Sequence, residues 1–66
     1  MDLKILGQNI KKIRLEMNLT QERFAEKANC SWRYIQFIEQ GKKIPSLHWV
    51  NNLSETLNIP IEKLFK

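Results

Sequence analysis

The sequence predicts an all-α fold, a compact domain of five short helices over residues 1–66 with no linker, repeat or low-complexity stretch. Three observations carry this. Apolar residues recur every three or four positions, the period of a helix with one inner face. Only two glycines and two prolines punctuate 66 residues, which leaves few strand-turn signals. Thr20, Ser31 and Ser46 each precede an apolar run, where a side-chain oxygen caps the free amides of a helix start.

Leu6, Ile10, Ile13 and Met17, spaced 4, 3 and 4, form the inner stripe of a first helix. Asn18 ends it, because Asn tolerates the left-handed conformation of a helix terminus. Thr20 caps a second helix over about 21–28, with Phe24, Ala25 and Ala28 inside. Arg23 stands where Glu or Gln would complete a reciprocal capping box, so that cap is one-sided. Asn29-Cys30 breaks the helix, and Ser31 caps a third over about 32–40, with Ile35 and Ile38 inward and Gly41 as its stop. Lys42-Lys43-Ile44-Pro45 forms a basic loop. Ser46 caps a fourth helix to about Leu57, with Leu47, Val50, Leu53 and Leu57 as its stripe, and Asn58 and Pro60 end it. The stretch Ile61–Phe65 makes a last turn and a half and returns Leu64 and Phe65 to the core.

Composition bounds the function. Hydrophobic residues are 42% and charged residues 27%, ordinary for a globular chain and against disorder. No apolar run approaches the roughly 18 residues of a membrane span. Met1-Asp2-Leu3-Lys4 lacks the plan of a signal peptide, so no export and no membrane partner is expected. One cysteine, Cys30, and one histidine, His48, neither staple a fold nor build a metal site, so no metal and no cofactor is expected. There is no paired nucleophile and base and no glycine-rich loop, which argues against an enzyme. The net charge of +4 falls wholly within residues 1–43, where nine Lys and Arg oppose five Asp and Glu, while 44–66 is neutral. Such asymmetry suits a polyanionic partner, the plain alternative being solubility.

Residues 20–41 read as two short helices joined by a three-residue turn, a geometry that presents one helix outward, with Ala25 at the close crossing. On the third helix Trp32, Arg33, Gln36, Phe37 and Gln40 share an arc of roughly 140°, opposite Ile35 and Ile38. A structural helix would carry solvated charges there. These groups instead hydrogen-bond base edges or pack on thymine methyls and sugars.

Leu6-Gly7-Gln8-Asn9-Ile10 with Arg14, Leu19-Thr20-Gln21-Glu22 with Ala25, Tyr34-Ile35, Ile38-Glu39-Gln40-Gly41-Lys42 and Pro45-Ser46-Leu47 together resemble the phage-repressor and Cro-like (lambda-repressor-like) helix-turn-helix family, which includes restriction–modification controllers. The resemblance covers about residues 6–65. It implies a sequence-specific duplex-DNA-binding transcriptional regulator, a repressor or controller acting as a homodimer in a bacterial or phage cytoplasm, at the nucleoid, with no small-molecule ligand. It implies base reading by Trp32, Arg33, Gln36 and Phe37. Phosphate contacts fall to Gln21, Ser31, Gln40, Lys42 and Lys43, and Arg14 with Glu39 forms a buried ion pair. Ile44, Trp49, Pro60 and Ile61 are the expected dimer contact, unless Trp49 folds over the basic loop. The chain departs from the family pattern at Trp32 and Phe37, where small polar residues are usual, at Asn29, usually Gly, and at Ser54, usually a core Ala, whose hydroxyl would bond back to its own helix. The two aromatics keep an alternative open: a protein-interaction module of the same fold that has lost DNA binding, with Trp32, Phe37 and Trp49 as anchors.

Overall fold

Most helices begin where a side chain or proline permits and end where the chain can turn left-handed. In the computed structural model, which describes residues 3–66 except the side chain of Leu3, the order is α1 (Leu3–Glu16), α2 (Gln21–Lys27), α3 (Trp32–Glu39), α4 (Leu47–Thr56) and α5 (Ile61–Phe65). The Met1–Asp2 start, and with it the charge of Asp2, lies outside the described residues. Among the described residues the fold is all-helical, as expected. The hydroxyls of Thr20, Ser31 and Ser46 accept from the amides of Arg23, Tyr34 and Trp49 at 3.1, 3.2 and 3.1 Å. Each satisfies one otherwise orphaned donor in the first turn.

The four helices α1 to α4 end alike. Asn18, Asn29, Gly41 and Asn58 stand at φ 58°, 58°, 74° and 54°. Around each, two amides fold back onto the last turn: Asn18 to Leu15 and Leu19 to Arg14, Asn29 to Glu26 and Cys30 to Ala25, Gly41 to Ile38 and Lys42 to Phe37, Asn58 to Glu55 and Ile59 to Ser54. This paired closure satisfies carbonyls that would otherwise lack partners. The residue after the left-handed position usually packs back on its helix, and Leu19, Cys30 and Ile59 do so against the core. Lys42 is the exception and stands exposed.

The core comprises Leu6, Ile10, Ile13, Phe24, Ala25, Ile35, Ile38, Val50, Leu53, Ile59 and Leu64. Helix α1 packs on α3 and α5, α2 on α3, and α4 on α5. The Asn9 side-chain amide donates to the Leu64 carbonyl at 3.1 Å and ties α5 to α1.

Several expected core positions differ. Met17 lies past the end of α1 and is 37% exposed, because the chain has already turned towards Asn18. Leu47 is 64% exposed. It and Trp49 flank the line through Val50, Leu53 and Leu57 on opposite sides, each by about 80°, so periodicity does not choose between them. Tyr34 lies on the Trp49 side, ring centroids 5.2 Å apart and edge-on, and Trp49 is the one covered. Ala28, Leu57 and Phe65 pack against the core without being buried in it. The Ser54 hydroxyl does not bond back along α4; it donates forward to the Ile59 carbonyl and closes the α4 terminus.

Candidate nucleic-acid interface

Helix α2 lies behind α3 through Phe24 and Ala25, and the inner face of α3 buries Ile35 and Ile38 completely or nearly so. A hydrogen-bonded belt holds this pair to α1. Arg14 reaches across to Glu39, Nε to Oε2 at 2.7 Å and Nη2 to Oε1 at 3.2 Å, and its Nη1 donates to the Leu19 carbonyl at 2.8 Å. Both charged side chains are under 10% exposed. Such a pair is tolerated inside a protein only when its remaining polar atoms are also bonded, and among the described residues no buried side-chain nitrogen or oxygen lacks a partner. Gln21 extends the belt: its Nε2 donates to Glu39 Oε1 at 3.0 Å, and its Oε1 accepts from the Trp32 indole at 3.1 Å. The belt therefore joins the end of α1, the start of α2 and both ends of α3.

The outer arc of α3 stays open. Trp32 is 48% and Phe37 40% exposed, Arg33 and Gln40 are exposed, and Gln36 is half-buried. The Arg33 side chain forms no hydrogen bond or ion pair within the described residues. The Phe37 carbonyl accepts from the amides of Lys42 and Lys43 at 2.8 and 3.2 Å. The basic loop is thus fastened to the end of α3 and turns with it. Ser31, Arg33, Tyr34, Phe37 and Lys43 line a shallow groove between helix and loop. Burial pushes the Cys30 thiol above its ordinary pKa. The Tyr34 hydroxyl is raised too, by burial first and then by the nearby Cys30.

The expected site residues thus fall in three places. Trp32, Arg33, Gln36, Phe37, Gln40, Lys42 and Lys43 share the α3 side of the molecule. Ser31 caps α3, its hydroxyl proton still free to donate. Gln21 is turned inward onto Glu39 and Trp32 and keeps one N–H. The Trp32 indole gives its single N–H to Gln21 in the free protein and presents ring carbon outward. Trp49 is turned onto Tyr34, Ile61 packs against the core, and Pro60 lines a groove with Met17 and Leu57. Ile44 is 56% exposed, and Leu47, expected inside on its apolar stripe, is exposed three residues along. Gly7 was missed: a Cβ there would meet the Ile38 carbonyl oxygen at 2.2 Å. A glycine inside a helical stripe was the signal available. Among the described residues no group of three or more His, Cys, Asp or Glu could hold a metal, and no helix is long and apolar enough to cross a membrane.

Two short helices joined through a left-handed Asn, the first braced from behind and the second facing outward, define a helix-turn-helix domain. The helix-turn-helix family model matches residues 10–64, and the chain belongs to that family, whose members are regulators rather than enzymes. It is 41% identical over 59 residues to the immunity repressor protein of Bacillus phage phi105, covering 89% of this chain and 41% of that one, so it spans less than half of the phage protein. It is 38% identical over 66 residues to the control protein C.MunI of a Mycoplasma species, covering 97% and 89% of the two chains. Among solved structures, the restriction–modification controller C.AhdI of Aeromonas hydrophila superposes with a TM-score of 0.87 at 30% identity over 97% of both chains.

Proposed function

We propose that the protein is a transcriptional regulator, a repressor or controller, that binds duplex DNA sequence-specifically with α3 in the major groove. The observation that carries this reading is the open arc of α3 together with two lysines tied by their amides to the end of the same helix. Arg33, exposed and unpaired, reads guanine O6 and N7, a contact worth about 1–3 kcal/mol of discrimination. Gln36 reaches a base edge, and Phe37 packs on thymine methyl or sugar. Ser31, Gln40, Lys42, Lys43 and the remaining N–H of Gln21 hold phosphates, which fixes register without reading sequence. Lys42 supports this role: its place in the closure of α3 is filled by an apolar residue at the other three helix ends.

The protein acts as a homodimer, with Ile44 and Leu47 supplying apolar surface for a second copy. Two-fold symmetry then sets half-sites about 34–36 Å apart. The relatives named as repressor and controller favour regulation by occupancy of an operator, and the work is done at the bacterial or phage genome.

Titration of duplex DNA across salt concentrations tests the reading. Four loop lysines from two copies give a log–log slope of about −3.6, a loss of about 150-fold between 50 and 200 mM salt. Binding that ignores salt, or no binding to any duplex in a random pool, refutes it and leaves the exposed aromatics as anchors for a protein partner. Arg33→Ala is expected to flatten preference at one base position and leave weaker general binding intact.

A further inference from the structure

We infer that Trp32 is a positioning residue that orients Gln21 for a DNA phosphate, and that it does not itself select a base; this rests on the DNA-binding reading above. The side-chain amide of Gln21 has two chemically distinct ends, and each meets a neighbour that accepts only one of them. The Glu39 carboxylate, an acceptor, takes Nε2–H at 3.0 Å. The Trp32 indole, a donor only, gives its N–H to Oε1 at 3.1 Å. Turning the amide over would set oxygen against carboxylate and N–H against N–H and lose both bonds. Glu39 cannot yield, because Arg14 holds both its oxygens. Trp32 therefore completes the lock, and the second Nε2–H is the one side-chain donor of Gln21 left over.

Trp32 and Glu39 are the first and last residues of α3 and lie seven apart, on one face of it. Gln21, the first residue of α2, is held from both. The phosphate contact of α2 is thus set by the placement of α3, so backbone contact and base-reading helix are fixed in one register. Phenylalanine at position 32 would keep most of the ring and lose only the donor. At 48% exposure the side chain is not one on which folding depends.

The test is a double-mutant cycle with Trp32→Phe and Gln21→Ala, read on two probes: the best duplex selected from a random pool and a duplex of unrelated sequence. Trp32→Phe alone is expected to weaken both about fivefold, the effect of about 1 kcal/mol for one neutral hydrogen bond, with the preferred sequence unchanged. In the Gln21→Ala background it is expected to cost nothing further. Losses that multiply, or a preference that changes at one position, overturn the inference and make Trp32 a direct contact. The free protein supplies a second readout. The indole N–H resonance assigned to Trp32 shifts on Gln21→Ala; a resonance that stays in place overturns the inference without any DNA. A parent protein that binds no duplex is a separate result, which removes the DNA-binding reading itself.

Discussion

Replacing Gly7 with alanine sets two calculable effects against each other. In an isolated helix the change is favourable by about 1 kcal/mol, because glycine is the poorer helix former. In this fold the added methyl would lie 2.2 Å from the Ile38 carbonyl oxygen, 3.3 Å from its carbon and 3.5 Å from the Glu39 Cα. The first distance is more than about 1 Å short of van der Waals contact. All three atoms are backbone, so no rotamer relieves the clash. Helix α1 must move off α3, and both carry fully buried core residues, Ile10 on one and Ile35 on the other. Overpacking of this kind costs about 1–3 kcal/mol and outweighs the helix gain. The expected net is a destabilisation of up to about 2 kcal/mol, a fall in Tm of roughly 4–8 °C for each kcal/mol in a domain this small. Thermal unfolding followed by circular dichroism measures it. Duplex binding at a temperature where the variant is folded should fall as well, since α3 loses its backing. A Gly7→Ala variant with a higher Tm would refute the reasoning: propensity would have won, and α1 would not approach α3 this closely.

Arg14→Ala strands the Glu39 carboxylate among buried groups with Gln21 as its only remaining side-chain partner among the described residues, and should cost about 3–5 kcal/mol in urea unfolding; a loss under about 1 kcal/mol would mean the pair is solvated. Leu47→Glu should leave Tm nearly unchanged, because the side chain is 64% exposed, while driving the protein towards monomer in sedimentation; unchanged association would remove Leu47 from the dimer contact. Cys30 should react with a thiol reagent at pH 7–8 more slowly than a free cysteine, because burial raises its pKa and so lowers the thiolate fraction below the usual value at any pH under that raised pKa. Reaction at the free-cysteine rate would contradict the half-buried position that closes α2.

The helix starts and stops were legible because their chemistry is local. Thr20, Ser31 and Ser46 bond amides three residues on, and Asn18, Asn29, Gly41 and Asn58 supply backbone angles that depend on the residue alone. The outer arc of α3 was legible for the same reason: once Ile35 and Ile38 face inward, geometry sends Arg33, Phe37 and Gln40 outward. Pairing across elements was not. Only the resemblance, not spacing, joined Arg14 to Glu39, twenty-five positions apart in the chain.

What the amino-acid order alone determined is where most of the helices begin and end and which stripe of each is apolar. What tertiary structure alone decided is which neighbour each side chain meets. Trp49 is covered and Leu47 bare because Tyr34 lies to one side of α4 and not the other. Gly7 is required because a carbonyl of α3 passes close by, and Gln21 is aimed by an indole and a carboxylate from opposite ends of another helix. Periodicity encodes an angle around one axis; contact also depends on how two axes cross, and no single segment carries that information.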